Sequence, residues 1–520
     1  PADLAVFVVN STVSRIGRRQ RVRAATAAMG TPQEREAQKS YWAEHSSNAT
    51  VESMMLDSQA ADIDKLERPE VLKLLGSVDG LDVVELGAGI GRFTRPLAEE
   101  ARSVVALDFM PNLIEQNRVD NGHLGNIDFR CGDATELDLP AGCADLVFSN
   151  WLLMYLADDE VAKLAHNMLT WVKVGGTVFF RESCFRQSGD KARGSNPTHY
   201  RNPREYFKIF DECEVVQPDG RVAVFDLVCC KSVDTYVRVK QNQNQVCWKW
   251  RKIIKPAPTA FRVDRHFLDG QRYTAGSIAR YEFVFGQGFI SPGGERLTQE
   301  LAARLGLNPD AHVLDVGCGV GGSAFHLART LGCYVYGIDL SANMILTALE
   351  RAAASGNGDK VSLEVSDATR RALPEASFDA VFTRDSLLHI HDKPALFSRL
   401  LHALRPGGQL LVTDYCRGGG PPSPGFSAYI DDRGYDLVAV AEYAALLSAA
   451  GFEVLSARDE TPRFVATLGA ELERLRERRD EFVARFSERE HADMVAGWEA
   501  KLERAHAGEH CWGVFHARRP

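Results

Sequence analysis

Two stretches of the chain share one make-up: VVELGAGIGRFT from Val83 and HVLDVGCGVGGS from His312. Each has a short apolar run, one acid (Glu85 or Asp315) and three glycines at alternate positions. A strand that ends in such a turn and enters a helix lets a ligand lie against the main chain. A second acid closes the next apolar run in each copy, Asp108 after SVVAL and Asp339 after YVYGI, where it can bond ribose hydroxyls. A third, Asp133 or Asp367, opens an Asp-Ala-Thr triplet and suits an adenine amino group. Downstream, TRDSLLHIHD carries Asp385 and His389, four apart; if it opens a helix they share a face. Histidine has a near-neutral intrinsic pKa and can relay a proton.

The glycines alone also suit NAD and are a weak signal. Three details favour S-adenosylmethionine. An acid just before the glycines can face a ligand ammonium group, an acid follows the third strand, and a Gly-Gly pair precedes the fifth. Positioning these groups takes strands that end along one edge. The repeat supplies them: SVVALDFMPNLIEQN matches CYVYGIDLSANMILTAL, CGDATELDLPAGCADLVFSN matches VSDATRRALPEASFDAVFTR, and WVKVGGTVFFRES matches ALRPGGQLLVTDYC. The endings QVCWKW and EHCWGVF also correspond. Strand–helix alternation predicts a parallel, doubly wound sheet, and two series predict two α/β domains. The expected division is an extension over 1–30, a first domain over 31–250, a Pro-containing linker over 251–270 and a second domain over 271–520.

In order and spacing, both halves resemble class I S-adenosylmethionine-dependent methyltransferases, which are Rossmann-like and doubly wound. The resemblance implies S-adenosylmethionine as cofactor, S-adenosylhomocysteine as product and no metal. It puts Gly87, Gly89, Arg92, Asp108, Asp133, Ala134 and Asn150 at one cofactor site. Ser291, Gly317, Gly319, Asp339, Asp367, Ala368 and Arg384 fall at the other.

Composition narrows the classes. A net charge of −9 argues against a protein that tracks nucleic-acid backbones. No run approaches the roughly 20 apolar residues of a membrane span. The 11 scattered cysteines contain no CxxC, so a disulfide framework or zinc site is not expected, and a reducing, cytoplasmic setting fits. The leader is rich in Arg, Ser and Ala, with Asp3 its one acid before Met29. It reads as an extension without fold or, alternatively, as an organelle transit peptide. A monomer is expected.

Longer strings narrow the resemblance. YWAEHSSNATVESMMLDSQAADIDKLERPEVL, FSNWLLMYL, SNPTHYRNPREY, RYEFVFGQGFISPGG, TRDSLLHIHDKPALF, IDDRGYDL and GWEAKLER are similar to the plant-type phosphoethanolamine N-methyltransferases, over about residues 36–520. The resemblance implies three methylations of phosphoethanolamine to phosphocholine, the first by the amino-terminal domain and the later two by the carboxy-terminal one. It makes Tyr273, in QRYTAG, a catalytic partner of His389, with Asp385 orienting the amine. Tyr415, Tyr429, Arg433, Tyr435 and Lys501 would enclose the phosphobase, since phosphate needs cationic and hydroxyl donors. The family's usual glutamine before the tyrosine is Arg272 here, which either adds charge near the phosphate or points outward.

Aligning the repeats sets Trp151 opposite Asp385, Tyr155 opposite His389 and Ser183 opposite Tyr415, so the first domain lacks the Asp–His pair. Its acceptor residues, by resemblance, are Ser183, Gln187, Ser188, Gly189, Thr198 and Tyr200, with Arg193 adding charge. Tyr41 and His45 are expected to close over the cofactor. The charged tail reads as a packed outer helix. Two other readings stay open: a methyltransferase for another small acceptor, and one catalytic domain with a regulatory twin.

Overall fold

The computed structural model describes residues 32–46, 50–190, 197–256, 263–355 and 358–520. In the first half the strands are β1 (Asp82–Leu86), β2 (Ser103–Asp108), β3 (Ile127–Cys131), β4 (Ala144–Asn150), β5 (Val172–Ser183), β6 (Glu214–Val216), β7 (Val222–Ser232) and β8 (Gln245–Ile254). The second half has β9 (His312–Val316), β10 (Tyr334–Asp339), β11 (Val361–Val365), β12 (Phe378–Arg384), β13 (Leu404–Arg417), β14 (Glu453–Asp459) and β15 (His510–Arg518).

The half-sheets run β3-β2-β1-β4-β5-β8-β7 and β11-β10-β9-β12-β13-β15-β14, the same order twice. Their first five strands are parallel. A final strand, β8 or β15, inserts antiparallel beside the fifth. Helices cover both faces, which is why Val83, Val84 and Leu86 in β1 and Val313, Leu314 and Val316 in β9 are all buried. Strand order reverses between β1 and β4 and between β9 and β12, and at such a switch point the crevice beyond the strand ends is the expected ligand site. β7 and β11 pair antiparallel, Lys231 with Glu364 and Cys230 with Val365, so one sheet crosses both halves.

Three expectations change. The Gly-Gly pairs lie inside β5 and β13, not before them, at a register shift against β4 and β12. A side chain at Gly408 would sit 2.8 Å from the Arg405 carbonyl, so the bulge needs glycine there. The endings correspond three residues out of step: Ser183 pairs with Gln245 and Tyr415 with Trp512, so Trp512 is the counterpart of Gln245 and not of Trp248. The stretch expected as a linker is strand up to Ile254 and helical from Arg265. The leader lies outside the described residues. All eleven cysteines are unbridged thiols. Among the described residues no helix is long and apolar enough to cross a membrane. The tail forms helices Thr461–Glu477, Arg479–Arg485 and Glu488–His506, which bury Leu468, Leu472, Phe482 and Trp498 along with Glu471, turn Lys501 inward to Tyr415 and keep most other charges outward.

Candidate active sites

Each half builds the same cradle. Gly89 N–H donates to Asp108 Oδ2 at 2.8 Å and Gly319 N–H to Asp339 Oδ2 at 2.9 Å. Met110 and Ser341 N–H groups hold the other oxygens at 2.9 and 2.8 Å. Burial pushes both acids up to about 6, against these backbone bonds. Gly87 and Gly317 bring the turn close to the opposite loop; a Cβ on Gly317, at φ 71°, would lie 2.3 Å from that of Ser386. Asp133 and Asp367 each accept bonds from the N–H and hydroxyl of the threonine two residues on, which turns the loop bearing Ala134 or Ala368 toward the crevice. Burial lifts Glu85 to about 8 and Asp315 to about 7. Thr94 bonds Glu85 at 2.5 Å. Asp315 Oδ2 is buried without a partner among the described residues, and Asp315 lines the cavity.

In the second half a long cavity runs from Gly317, Asp339 and Asp367 to Tyr273, Asp385 and His389. A smaller one, lined by Arg272, Tyr281, Tyr415, Arg433 and Tyr435, shares Tyr273, Asp385 and His389 with it. The three residues expected to react therefore stand where the cavities meet. Tyr273 Oη lies 3.4 Å from His389 Nε2. Burial, with the charges of Arg272 and Arg433 adding to it, pushes His389 down to about 4, so it is neutral at pH 7. Asp385 and His389 do not share an α-helical face. Asp385 is left-handed, at φ 52°, and His389 ends a 3₁₀ turn over Leu387–His389. Asp385 N–H donates to the Thr413 carbonyl at 2.7 Å. Its Oδ1 accepts from the Trp512 indole at 2.8 Å and the Thr413 hydroxyl at 3.0 Å, while Oδ2 has no partner among the described residues.

Lys501 does not line the smaller cavity but stands behind it, its Nζ donating to Tyr415 Oη at 3.2 Å, and burial, with Arg433 nearby, lowers its pKa to about 8. Tyr429 lies one layer back, its ring 5.8 Å from that of Tyr435 and 4.0 Å from the Arg504 guanidinium. Arg272 lines the cavity wall and binds Asp432 Oδ2 at 3.1 Å. Ser291 lines both cavities. Arg384 lines the long cavity; its terminal nitrogens go to the Pro292 and Gly294 carbonyls and to Thr298, which holds the Ser291 loop, and its Nε has no partner among the described residues.

In the first half Trp151 takes the left-handed backbone, at φ 59°, and its indole donates to Gln245 Oε1 at 2.7 Å. Gln245 Nε2 donates to Ser183 and Ser188 hydroxyls, both at 2.9 Å. Arg181 lies 4.1 Å over the Trp151 ring and pairs with buried Glu67, which Arg92 also binds. Arg92 thus reaches the cavity wall with its donors committed to Asp64 and Glu67. Asn150, which accepts from Arg181 at 3.3 Å, lines the cavity with Tyr155, Ser183, Ser188, Gly189 and Tyr200. Gln187 and Thr198 do not line it; Gln187 bonds the Gly189 carbonyl at 2.7 Å and shapes the loop. Arg193 lies outside the described residues. The expected closure by Tyr41 and His45 is corrected: they stack on each other at 4.1 Å. Arg35, Gln38 and Trp42, at helical spacing on the adjoining face of Pro32–His45, line the cavity instead.

The sequence profile of the methyltransferase domain family matches residues 83–176 and 313–408. Phosphoethanolamine N-methyltransferase 1 of Arabidopsis thaliana is 50% identical over 489 residues, 94% of this chain and 99% of that protein. The phosphoethanolamine N-methyltransferase of Triticum aestivum is 50% identical over 485 residues, 93% of this chain and 95% of that one. The chain belongs to the phosphoethanolamine N-methyltransferases. Phosphoethanolamine N-methyltransferase 2 of Haemonchus contortus, solved with S-adenosyl-L-methionine, has a TM-score of 0.73 at 27% identity, over 88% of this chain and 99% of that one.

As a member of this family the chain is a methyltransferase that uses S-adenosylmethionine, and its cradles fit that molecule. Asp108 and Asp339, at the ends of β2 and β10, are placed where carboxylates could accept from ribose hydroxyls, and the unpartnered oxygen of Asp315 suits an ammonium group. Sequence reasoning missed the acids that hold the acceptor turns. Glu182 accepts from the N–H groups of Leu152, Leu153 and Met154 at 3.2, 2.8 and 3.2 Å. Asp414 accepts from Leu388 N–H at 3.1 Å and Tyr443 Oη at 3.2 Å. Burial raises them to about 7 and about 8. The signal was present: an acid stands at the same place in FFRES and VTDYC.

Proposed function

We propose that the two sites divide the conversion of phosphoethanolamine to phosphocholine: the first half makes the first N-methyl transfer and the second half the later two. The observation that carries this is the trio Asp385, His389 and Tyr273 at the meeting of two cavities, with Trp151 and Tyr155 at the matching places in the first half. The solved Haemonchus contortus enzyme 2 with phosphomonomethylethanolamine and S-adenosylhomocysteine, at a TM-score of 0.72 and 27% identity, supports a phosphobase acceptor.

S-adenosylmethionine, when bound, supplies an electrophilic methyl sulfonium. The amine, with a pKa near 10 by analogy with lysine, must lose a proton before its lone pair can attack. The unpartnered Oδ2 of Asp385 faces the acceptor and orients the amine. Neutral His389 and Tyr273, 3.4 Å apart, act as a dyad that locks the acceptor space and assists removal of that proton. Arg433, Tyr415 and Lys501 bind the phosphate at the far end, which fixes the nitrogen in line. The tyrosine faces stabilise the growing methylammonium by cation–π attraction. In the first half Gln245 presents the Ser183 and Ser188 hydroxyls to the acceptor.

We assign the first domain from about 31 to the end of β8 at Ile254 and the second from the helix at Arg265 to 520, a narrower join than the 251–270 expected. Each site is lined by its own half, which supports a monomer, and eleven unbridged thiols support a cytoplasmic setting. Mass spectrometry of Asp108→Ala and Asp339→Ala with each acceptor tests the division. The first should lose only the first step and the second only the later two; loss of all steps in either variant would overturn it.

A further inference from the structure

The segment that carries Tyr273 is held from both halves. It belongs to the second site, yet the helix packed against it, Pro203–Asp211, belongs to the first half. Arg265 bonds Asp211 at 2.9 Å and lies 5.3 Å over the Phe207 ring. Half-buried Arg204 reaches across with three bonds: Nε to Glu350 at 3.0 Å, one terminal nitrogen to Asn343 Oδ1 at 3.3 Å and the other to Thr347 at 3.1 Å.

Asn343 is the link. Its side-chain oxygen accepts from Arg204, and its Nδ2 donates to the main-chain carbonyl of Tyr273 at 3.0 Å and of Asp269 at 3.2 Å. Half-buried Asp269 in turn accepts from Ser341 Oγ at 2.5 Å, and Ser341 N–H donates to Asp339, the acid placed for the ribose. Arg204 therefore sets which way the Asn343 amide faces: with the guanidinium on Oδ1, Nδ2 must face the Tyr273 backbone. The other end of the helix entrance reaches the first site. Arg201 donates to the Leu153 carbonyl at 3.0 Å, and His199 N–H to that of Met154 at 2.7 Å, both in the turn that carries Tyr155.

We infer that Arg204, a residue of the first half, is a positioning residue for the second site: through Asn343 it fixes the main chain of Tyr273 over His389. The inference rests on the second site catalysing the later methylations. It predicts a kcat effect without loss of acceptor binding, because Arg204 touches neither cavity.

The test is steady-state kinetics of the full chain on phosphoethanolamine and on the mono- and dimethyl acceptors. Arg204→Ala should lower kcat for the methylated acceptors about 10-fold at an unchanged KM, since small misplacements far from the chemistry cost one to two orders of magnitude. First-step conversion of phosphoethanolamine should hold. Arg204→Lys should recover only part, because an ammonium cannot make three forked bonds at once. Asn343→Ala should give the same loss, and the double variant should be no worse than either single one. Glu350→Gln, which removes the ion pair and leaves the amide in place, should change kcat less than 2-fold. Equal loss of first-step activity, or fully additive loss in the double variant, would overturn the inference in favour of plain adhesion between halves. Asp108→Ala and Asp339→Ala run in parallel report which site each acceptor reads. If they assign all acceptors to one site, the division fails, while the Arg204 effect is still scored on the activity that Asp339→Ala removes.

Discussion

The two halves use one device at the end of the fourth strand and load it differently. Trp151 and Asp385 both take left-handed backbone, which costs a non-glycine residue about 1–3 kcal/mol. Both donate their N–H to the neighbouring fifth strand, at 2.8 and 2.7 Å. Both side chains then bond the facing position of the last strand. In the first half an indole on the fourth strand meets an amide, Trp151 to Gln245. In the second the roles are exchanged, with the indole on the last strand and the acid on the fourth, Trp512 to Asp385. The exchange keeps one N–H donor and one acceptor in each pair. It also decides whether a carboxylate or an aromatic ring lines the cavity at that position. A buried acid, Glu182 or Asp414, steadies the next turn in both halves, so the scaffold is shared and the chemistry is local.

The largest break in this comparison is Asp385→Asn. Asparagine tolerates the left-handed backbone and can keep the Trp512 bond, so the fold should hold while the charge facing the amine is lost. Turnover of the methylated acceptors should fall about 100-fold or more, with the first step unchanged and the monomethyl product accumulating by mass spectrometry.

Gln245→Leu is the counterpart in the first half. It leaves the Trp151 indole and the Ser183 and Ser188 hydroxyls without their shared partner, each loss worth about 1–3 kcal/mol if buried. The first step should slow at least 10-fold and the later steps hold. Equal effects on both would show that the halves are not independent.

Acid pH should treat the halves alike. Burial raises Asp108 and Asp339 to about 6, so the carboxylate forms that the proposed cofactor role requires are present above that pH and are lost as pH falls through it. Cofactor affinity, measured by calorimetry, should weaken several-fold below about pH 6 in both sites. His389, pushed down to about 4, should add no break near 6.5 to the second-site rate.

Alkaline pH should separate them by the smallest margin. Lys501, lowered to about 8, loses its charge as pH rises through that value, so the KM of the second-site acceptors should climb a few-fold. Lys501→Arg stays charged and should flatten that rise, while the first-site KM should not respond to the substitution.

Much of this was legible along the chain. Both glycine turns, the ribose acids and the strand–helix alternation are local patterns, and a parallel sheet with helices on both faces follows from them. Tyr273, Asp385 and His389 could be named because their strings are long and unusual. The α-helical face drawn through Asp385 and His389 was wrong because a left-handed residue breaks helical periodicity, and nothing in TRDSLLHIHD announces it. Tyr41 and His45 were expected at the cofactor, but they stack on each other, and Arg35, Gln38 and Trp42 of the same helix line the cavity, a choice set by how the helix packs.

Local patterns along the chain were enough for two copies of one fold, two glycine-turn cradles and a difference between the halves after the fourth strand. Those depend on residue type and short spacing, which the chain carries directly. Tertiary structure alone decided which pairs meet across strands. The matching Cys-Trp endings pointed to a register three residues away from the one the sheet adopts. Side chains alternate faces along a strand, so register selects the partner: Gln245 beneath Trp151 and Trp512 beneath Asp385. The contact of Arg204 with Asn343 spans 139 positions, and only the packing of one half on the other creates it.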